Sequence, residues 1–207
     1  MFCLLTLFLA AGCGDPYAQG MDLLQKGDYE KAAQFFLAQT KKHPDDPRAF
    51  NELGFAYARL KMYPEAGQSY MKALELNPDY FEARLNVGTL QLLKFEYDTA
   101  EAHLKKAIEL NPSCEPCYVN LAWTYFQMDR YDEALQAINK AVELSGGRNQ
   151  YPEVIEPIKK RKAEWDKKAE EIRKKRELEE AKQNQTLIPP APEPGGTAEP
   201  PKPEAKP

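Results

Sequence analysis

The 207-residue chain reads as an all-α protein: a solenoid of four helical hairpins followed by a C-terminal capping and projecting helix. Three observations predict this. Residues recur at an interval of 34, as Tyr29, Tyr63, Tyr97 and Tyr131, and three places on as Ala32, Ala66, Ala100 and Ala134. With 11 tyrosines in the chain, the tyrosine column alone has a chance probability of roughly one in ten thousand, and such a period marks a stack of supersecondary units. Between these columns apolar residues return every three or four positions, the helical spacing, as in Phe50, Leu53, Gly54 and Tyr57 or Ala100, Leu104 and Ala107. Finally, prolines close the first three units at Pro44, Pro78 and Pro112.

The chain opens MFCLLTLFLAAGCG, with no charge in its first twelve residues. That run is too short to span a bilayer, which takes about 20 apolar residues. It suits the apolar core of a secretory signal closed by the small residues Ala10, Ala11 and Gly12. With Cys13 directly after them, LAAGC resembles a bacterial lipobox, although Ala10 stands where Leu is usual and no Lys or Arg precedes the run. The resemblance implies that residues 1–12 are a signal peptide and that Cys13 carries lipid. Gly14 in place of Asp implies an outer-membrane destination facing the periplasm. An ordinary apolar start or an uncleaved anchor is the alternative.

Residues 13–148 hold four copies of the period. Gly20, Gly54, Gly88 and Ala122 keep a small residue in the first half of each, and Phe36, Tyr70, Leu104 and Ile138 a bulky apolar one in the second. Each unit is therefore a hairpin whose helices approach closely at the small residue. Asp46-Pro47 predicts an N-cap followed by proline at the first helical position, where its missing N–H costs nothing. Asn77-Pro78 and Asn111-Pro112 end second helices, and Asn is expected to take a left-handed exit there. One hairpin cannot bury its own apolar face. Four stacked hairpins can.

The run FNELGFAYARLKMYPEAGQSYMKALELNP, Phe50 to Pro78, is similar to the tetratricopeptide repeat (TPR) pattern at nearly every signature column. The resemblance covers about two thirds of the chain and implies a TPR α-solenoid that binds proteins on a groove lined by the first helices. The pattern's groove positions fall on Arg48, Asn51, Phe55 and Arg59, then Leu85, Asn86, Thr89 and Leu93, then Val119, Asn120, Trp123 and Phe126. Amides beside aromatic anchors suit a peptide or helix of a protein partner. Asn86 and Asn120, one period apart, are expected to stack as a ladder. The clamp that related domains use for chaperone C-termini requires paired cations. In register this chain offers Tyr17, Met21, Glu52, Glu82 and Asn86, or Asn51, Phe55, Asn86, Pro116 and Asn120, and neither set supplies them.

SCEPCY places Cys114 just before the first helix of the fourth repeat and Cys117 in its first turn. A local disulfide is the favoured reading in an oxidising compartment. A thiol-redox component is the alternative, but no βαβ setting accompanies the pair. Tyr118 stands where haem attachment needs His. Zinc lacks partners, since the histidines are His43 and His103 alone. No phosphate loop or acid–base constellation appears, so the expectation is a non-enzyme without cofactor, metal or small-molecule substrate.

Residues 149–185 form a long charged helix in which Ile158, Trp165 and Ile172 fall seven apart, a stripe suited to covering the end of repeat four. Lys159–Lys182 holds 11 Lys or Arg and 7 Asp or Glu, 11 − 7 = +4. Mixed signs at this range predict a solvated helix rather than a nucleic-acid surface, and the whole chain's net charge of −4 offers nucleic acid no bulk attraction. Residues 186–207 include 8 prolines and read as an extended, disordered tail. Within the lipoprotein class the chain is loosely similar to the type IV pilus pilotins, TPR lipoproteins that assist secretin assembly. Scaffolds of cell-wall hydrolases are the near alternative.

Overall fold

The computed structural model describes residues 15–147 and 151–186. The signal-like stretch, Cys13 and the proline-rich tail beyond 186 lie outside them. The described residues form helices α1 (Ala18–Lys26), α2 (Tyr29–Lys42), α3 (Pro47–Arg59), α4 (Tyr63–Leu76), α5 (Phe81–Leu93), α6 (Tyr97–Leu110), α7 (Glu115–Gln127), α8 (Tyr131–Leu144) and α9 (Pro152–Thr186), with no strand among them.

Successive helices pair as hairpins, α1 with α2 through α7 with α8, and α2, α4 and α6 each pack on the next first helix. First helices also meet one another, α3 with α5 and α5 with α7, so they share one face of the stack. The small and bulky columns are the hairpin contact itself. A Cβ built on Gly54 would lie 2.6 Å from Tyr70 Cδ1, one on Gly88 2.7 Å from Leu104 Cγ, and one on Gly20 2.5 Å from the Phe36 ring. In repeat four Ala122 occupies the column and Ile138 faces it, both fully buried in one cluster.

Asp46 caps α3 as its residue type predicts, its Oδ1 accepting from Arg48 N at 2.9 Å with Pro47 at the first position. The exits at Asn77 and Asn111 differ from expectation. Both are extended (φ −140°), not left-handed. Proline follows each, and its ring pushes the preceding residue out of the helical regions into extended backbone. Each Asn instead folds a side-chain turn, Asn77 Oδ1 accepting from Asp79 N and Asn111 Oδ1 from Ser113 N. Left-handed residues fall instead in the turns inside the hairpins, at Gly27, Lys61, Phe95 and Asp129, themselves one period apart, and after the fourth repeat at Gly146 and Gly147.

The chain divides into a unit ending at Lys162 and a second beginning at Ala163. In the first, the start of α9 closes repeat four: Val154, Ile155 and Ile158 are buried with Tyr131, Ala134 and Ile138. The helix runs through Pro157, giving up one backbone hydrogen bond where burial of these neighbours holds it. In the second unit α9 is charged and exposed, with Trp165, Ile172 and Leu178 about half accessible.

Candidate peptide-binding groove

The face shared by α1, α3 and α5 carries a cleft of about 550 Å³ lined by Met21, Leu24, Gln25, Asn51, Glu52, Phe55, Glu82, Leu85 and Asn86. A second cleft of about 230 Å³ adjoins it, sharing Phe55 and Asn86 and adding Ala58, Arg59, Tyr70, Thr89, Leu90 and Leu93. Seven residues that the repeat pattern assigns to the groove thus line one continuous surface: Asn51, Phe55, Arg59, Leu85, Asn86, Thr89 and Leu93. Their convergence follows from the period, since positions 34 apart on α3 and α5 stack in register.

The amides form hydrogen-bonded runs across repeats. Asn86 Nδ2 donates to Asn51 Oδ1 at 2.9 Å, and Asn51 Nδ2 donates to Glu52 Oε1 at 3.2 Å. Asn120 Nδ2 donates to Thr89 Oγ1 at 2.7 Å, and that hydroxyl donates to the Leu85 carbonyl. The ladder is therefore Asn51–Asn86 and Thr89–Asn120, rather than Asn86 on Asn120. The bonded partners lie 35 and 31 residues apart rather than one period, so each amide reaches a neighbour offset along the adjoining first helix.

Several groove positions also make contacts within the fold. Arg48 forms a two-pronged ion pair with Asp15, at 3.0 and 2.6 Å, and lies over the Tyr17 ring. Asp15 is held below the usual carboxylate range, first by that bond and then by the Tyr17 backbone N–H. Arg59 stacks over Tyr29 at 4.8 Å. Trp123 and Phe126 meet edge to face at 5.5 Å and, with Val119, pack against the core of repeat four, all three half-buried.

Two cleft residues, Glu52 and Glu82, entered the sequence reading only as positions unfit to clamp a carboxylate. Burial above all raises the Glu52 carboxyl above its ordinary range, the bond from Asn51 and the Arg48 charge oppose this, and the Glu82 charge adds to it. Burial, then Glu82 and Glu52, push the neighbouring Tyr80 phenol up to about 12.

Cys114 and Cys117 are joined as a disulfide. Cys114 caps α7, its Sγ accepting from Cys117 N at 3.2 Å. The pair is 5% and 0% exposed, and thiol–disulfide exchange needs an attacking sulfur to reach one of the two. Among the described residues no group of His, Cys, Asp or Glu is placed to hold a metal ion, and no helix is long and apolar enough to cross a membrane.

Family models described as tetratricopeptide repeat match residues 17–81 and 91–151. Among curated proteins, a heat shock protein sti1 homolog of Schizosaccharomyces pombe is 32% identical over 65 residues, 31% of this chain and 11% of its own length. The peroxisomal targeting signal receptor of Candida albicans is 34% identical over 92 residues, 40% of this chain and 16% of its own. The matches thus span under a fifth of these relatives. Among solved structures, MamA of Desulfovibrio magneticus RS-1 superposes with a TM-score of 0.63 at 25% identity, covering 82% of this chain and 98% of that one. YrrB, described as a TPR protein with an unusual peptide-binding site, superposes at 0.57 and 22% identity, covering 70% and 73%, a likeness of fold.

Proposed function

We propose that this chain, which belongs to the tetratricopeptide repeat family, works as a protein–protein interaction scaffold that holds a peptide or helix of a partner in the groove of its first helices. The observation that carries this reading is the pair of adjoining clefts, where apolar floor and amide-bearing walls meet. Backbone groups of a partner segment find hydrogen-bonding side chains there, and its apolar side chains find Phe55 and Leu85. The reading needs no catalysis.

The LAAGC stretch supports a lipid anchor on Cys13 and a place on the periplasmic side of a bacterial outer membrane. In that setting the scaffold assists assembly of an envelope complex, such as the type IV pilus secretin or a set of cell-wall hydrolases. Intact-mass measurement and fractionation test the anchor: Cys13→Ser is expected to move the chain from membrane to soluble fraction. For the groove, a photo-crosslinking residue at Gln25 is expected to capture the partner, and one at the exposed Met71 of α4 is not. Equal yields at both positions, or capture from Met71 alone, would move the site off the groove.

A further inference from the structure

The floor of the larger cleft is apolar, from Leu24, Phe55 and Leu85, and two carboxylates, Glu52 and Glu82, stand beside it. Among the described residues no Lys or Arg lines this cleft. The cation acting on Glu52 is Arg48, whose guanidinium is already committed to Asp15 by two hydrogen bonds. Glu52 accepts only the long bond from Asn51 among the described residues, and the run Asn86 to Asn51 to Glu52 donates toward the carboxylate. That direction stabilises the anion without neutralising it. The Glu82 charge adds to the cost of the Glu52 anion. An apolar cleft with uncompensated negative charge is complementary to a segment that brings a cation and an apolar side chain together.

We infer that the segment held between α1, α3 and α5 is cationic: a Lys or Arg of the partner reaches Glu52 and Glu82 while an adjacent apolar side chain enters the floor of Leu24, Phe55 and Leu85. This rests on the groove being a peptide site, and deepens it by naming the chemistry of the occupant. The cation supplies what the fold does not, a countercharge for a carboxylate that burial alone disfavours as an anion. Specificity follows from the same groups, because an acidic segment would bring like charge against a part-buried carboxylate.

The test uses the full chain and an array of random-sequence peptides of about twelve residues, grouped by net charge at matched hydropathy. At low salt the basic group is expected to bind on the order of tenfold better than the acidic group. Raising salt from about 0.05 M to about 0.5 M should shrink that ratio by screening. Glu52→Gln with Glu82→Gln should bring the ratio close to one, and Glu52→Lys with Glu82→Lys should invert it, with far-UV circular dichroism unchanged in both. A ratio near one for the parent chain, with binding still lost in Asn51→Ala/Asn86→Ala, would overturn the cationic occupant and leave the groove standing. A basic preference that survives both carboxylate variants would overturn it as well. Binding absent from every group, or indifferent to both the amide and the carboxylate variants, would remove the groove itself and this inference with it.

Discussion

The same substitution, Gly to Ala, is expected to have opposite signs at two helical sites in one repeat. At Gly54 in α3 an added Cβ would lie 2.6 and 2.7 Å from the Tyr70 ring and 3.1 Å from the Ala66 carbonyl oxygen. Carbon atoms in contact sit about 3.5–4.0 Å apart, so the ring must retreat by about 1 Å. It is 2% exposed, so its retreat disturbs the packing around it. Overpacking of this kind costs about 1–3 kcal/mol, and the better helix propensity of Ala returns about 1 kcal/mol, leaving a net loss of about 1 kcal/mol. At Gly67 in α4 the nearest atom is Leu90 Cδ2 at 3.4 Å, an ordinary contact. There only the propensity gain remains, and Gly67→Ala should stabilise by about 1 kcal/mol.

Urea unfolding followed by far-UV circular dichroism, with the slope checked for constancy, measures both. The fourth repeat supplies a further check, because there Ala122 faces Ile138 in a fully buried pair. Gly54→Ala combined with Tyr70→Ile should therefore be more stable than the sum of the single changes by about 1–2 kcal/mol. Equal signs at Gly54 and Gly67, or additivity of the Gly54 and Tyr70 changes within about 0.5 kcal/mol, would refute the column contact as the reason for glycine.

Two further outcomes are expected. Opening the Cys114–Cys117 disulfide should cost about 2 kcal/mol, the loop-closure value for so short a ring, read as a drop in the urea midpoint on adding a reductant; no drop would mean that the bond leaves the unfolded chain unconstrained. The raised carboxyl of Glu52 favours the neutral form in the fold, so its stability contribution is full below the unfolded carboxylate value of about 4.3 and is lost as pH rises through the folded one. Glu52→Gln should accordingly gain on the parent chain as pH rises from about 4 toward neutrality, and a gap that stays constant across that series contradicts the assignment.

The period carried most of the fold. It located the hairpins and the facing columns because every internal repeat repeats the same neighbours, so one frame serves for all. What it hid is of two kinds. The left-handed turn column shares one backbone conformation among Gly27, Lys61, Phe95 and Asp129, four residue types with no common side-chain signature. The other kind is where a repeat lacks one neighbour or meets a different one. Arg48 sits at a groove position by register, yet Asp15, 33 residues back, takes its guanidinium. Trp123 and Phe126, groove anchors by register, also pack half-buried against the cluster that the first turns of α9 complete. The carboxylates of the cleft were visible as letters. Their significance was not, because it depends on which cations are already spent.

These end contacts bear on the groove. In a stack held by nearest-neighbour interfaces, fraying starts from the terminal units. At one end Tyr17 donates its hydroxyl to Asp46 Oδ2 at 2.5 Å while Asp46 Oδ1 caps α3, and Arg48 covers the Tyr17 ring. One carboxylate thereby fastens α1 to the start of the second repeat. At the other end Arg130 bridges Glu101 of α6 and Glu133 of α8, the disulfide fixes the start of α7, and α9 buries Val154, Ile155 and Ile158 on repeat four. Bonds of this sort across repeat boundaries raise the cost of opening either end, and the helices between them, α3 and α5, keep their spacing. Their clefts are then formed before a partner arrives. A preformed site loses less to ordering on binding, so the polar groups spent at the two ends favour binding at the middle, where Arg48 acts on Glu52 only from its pair with Asp15.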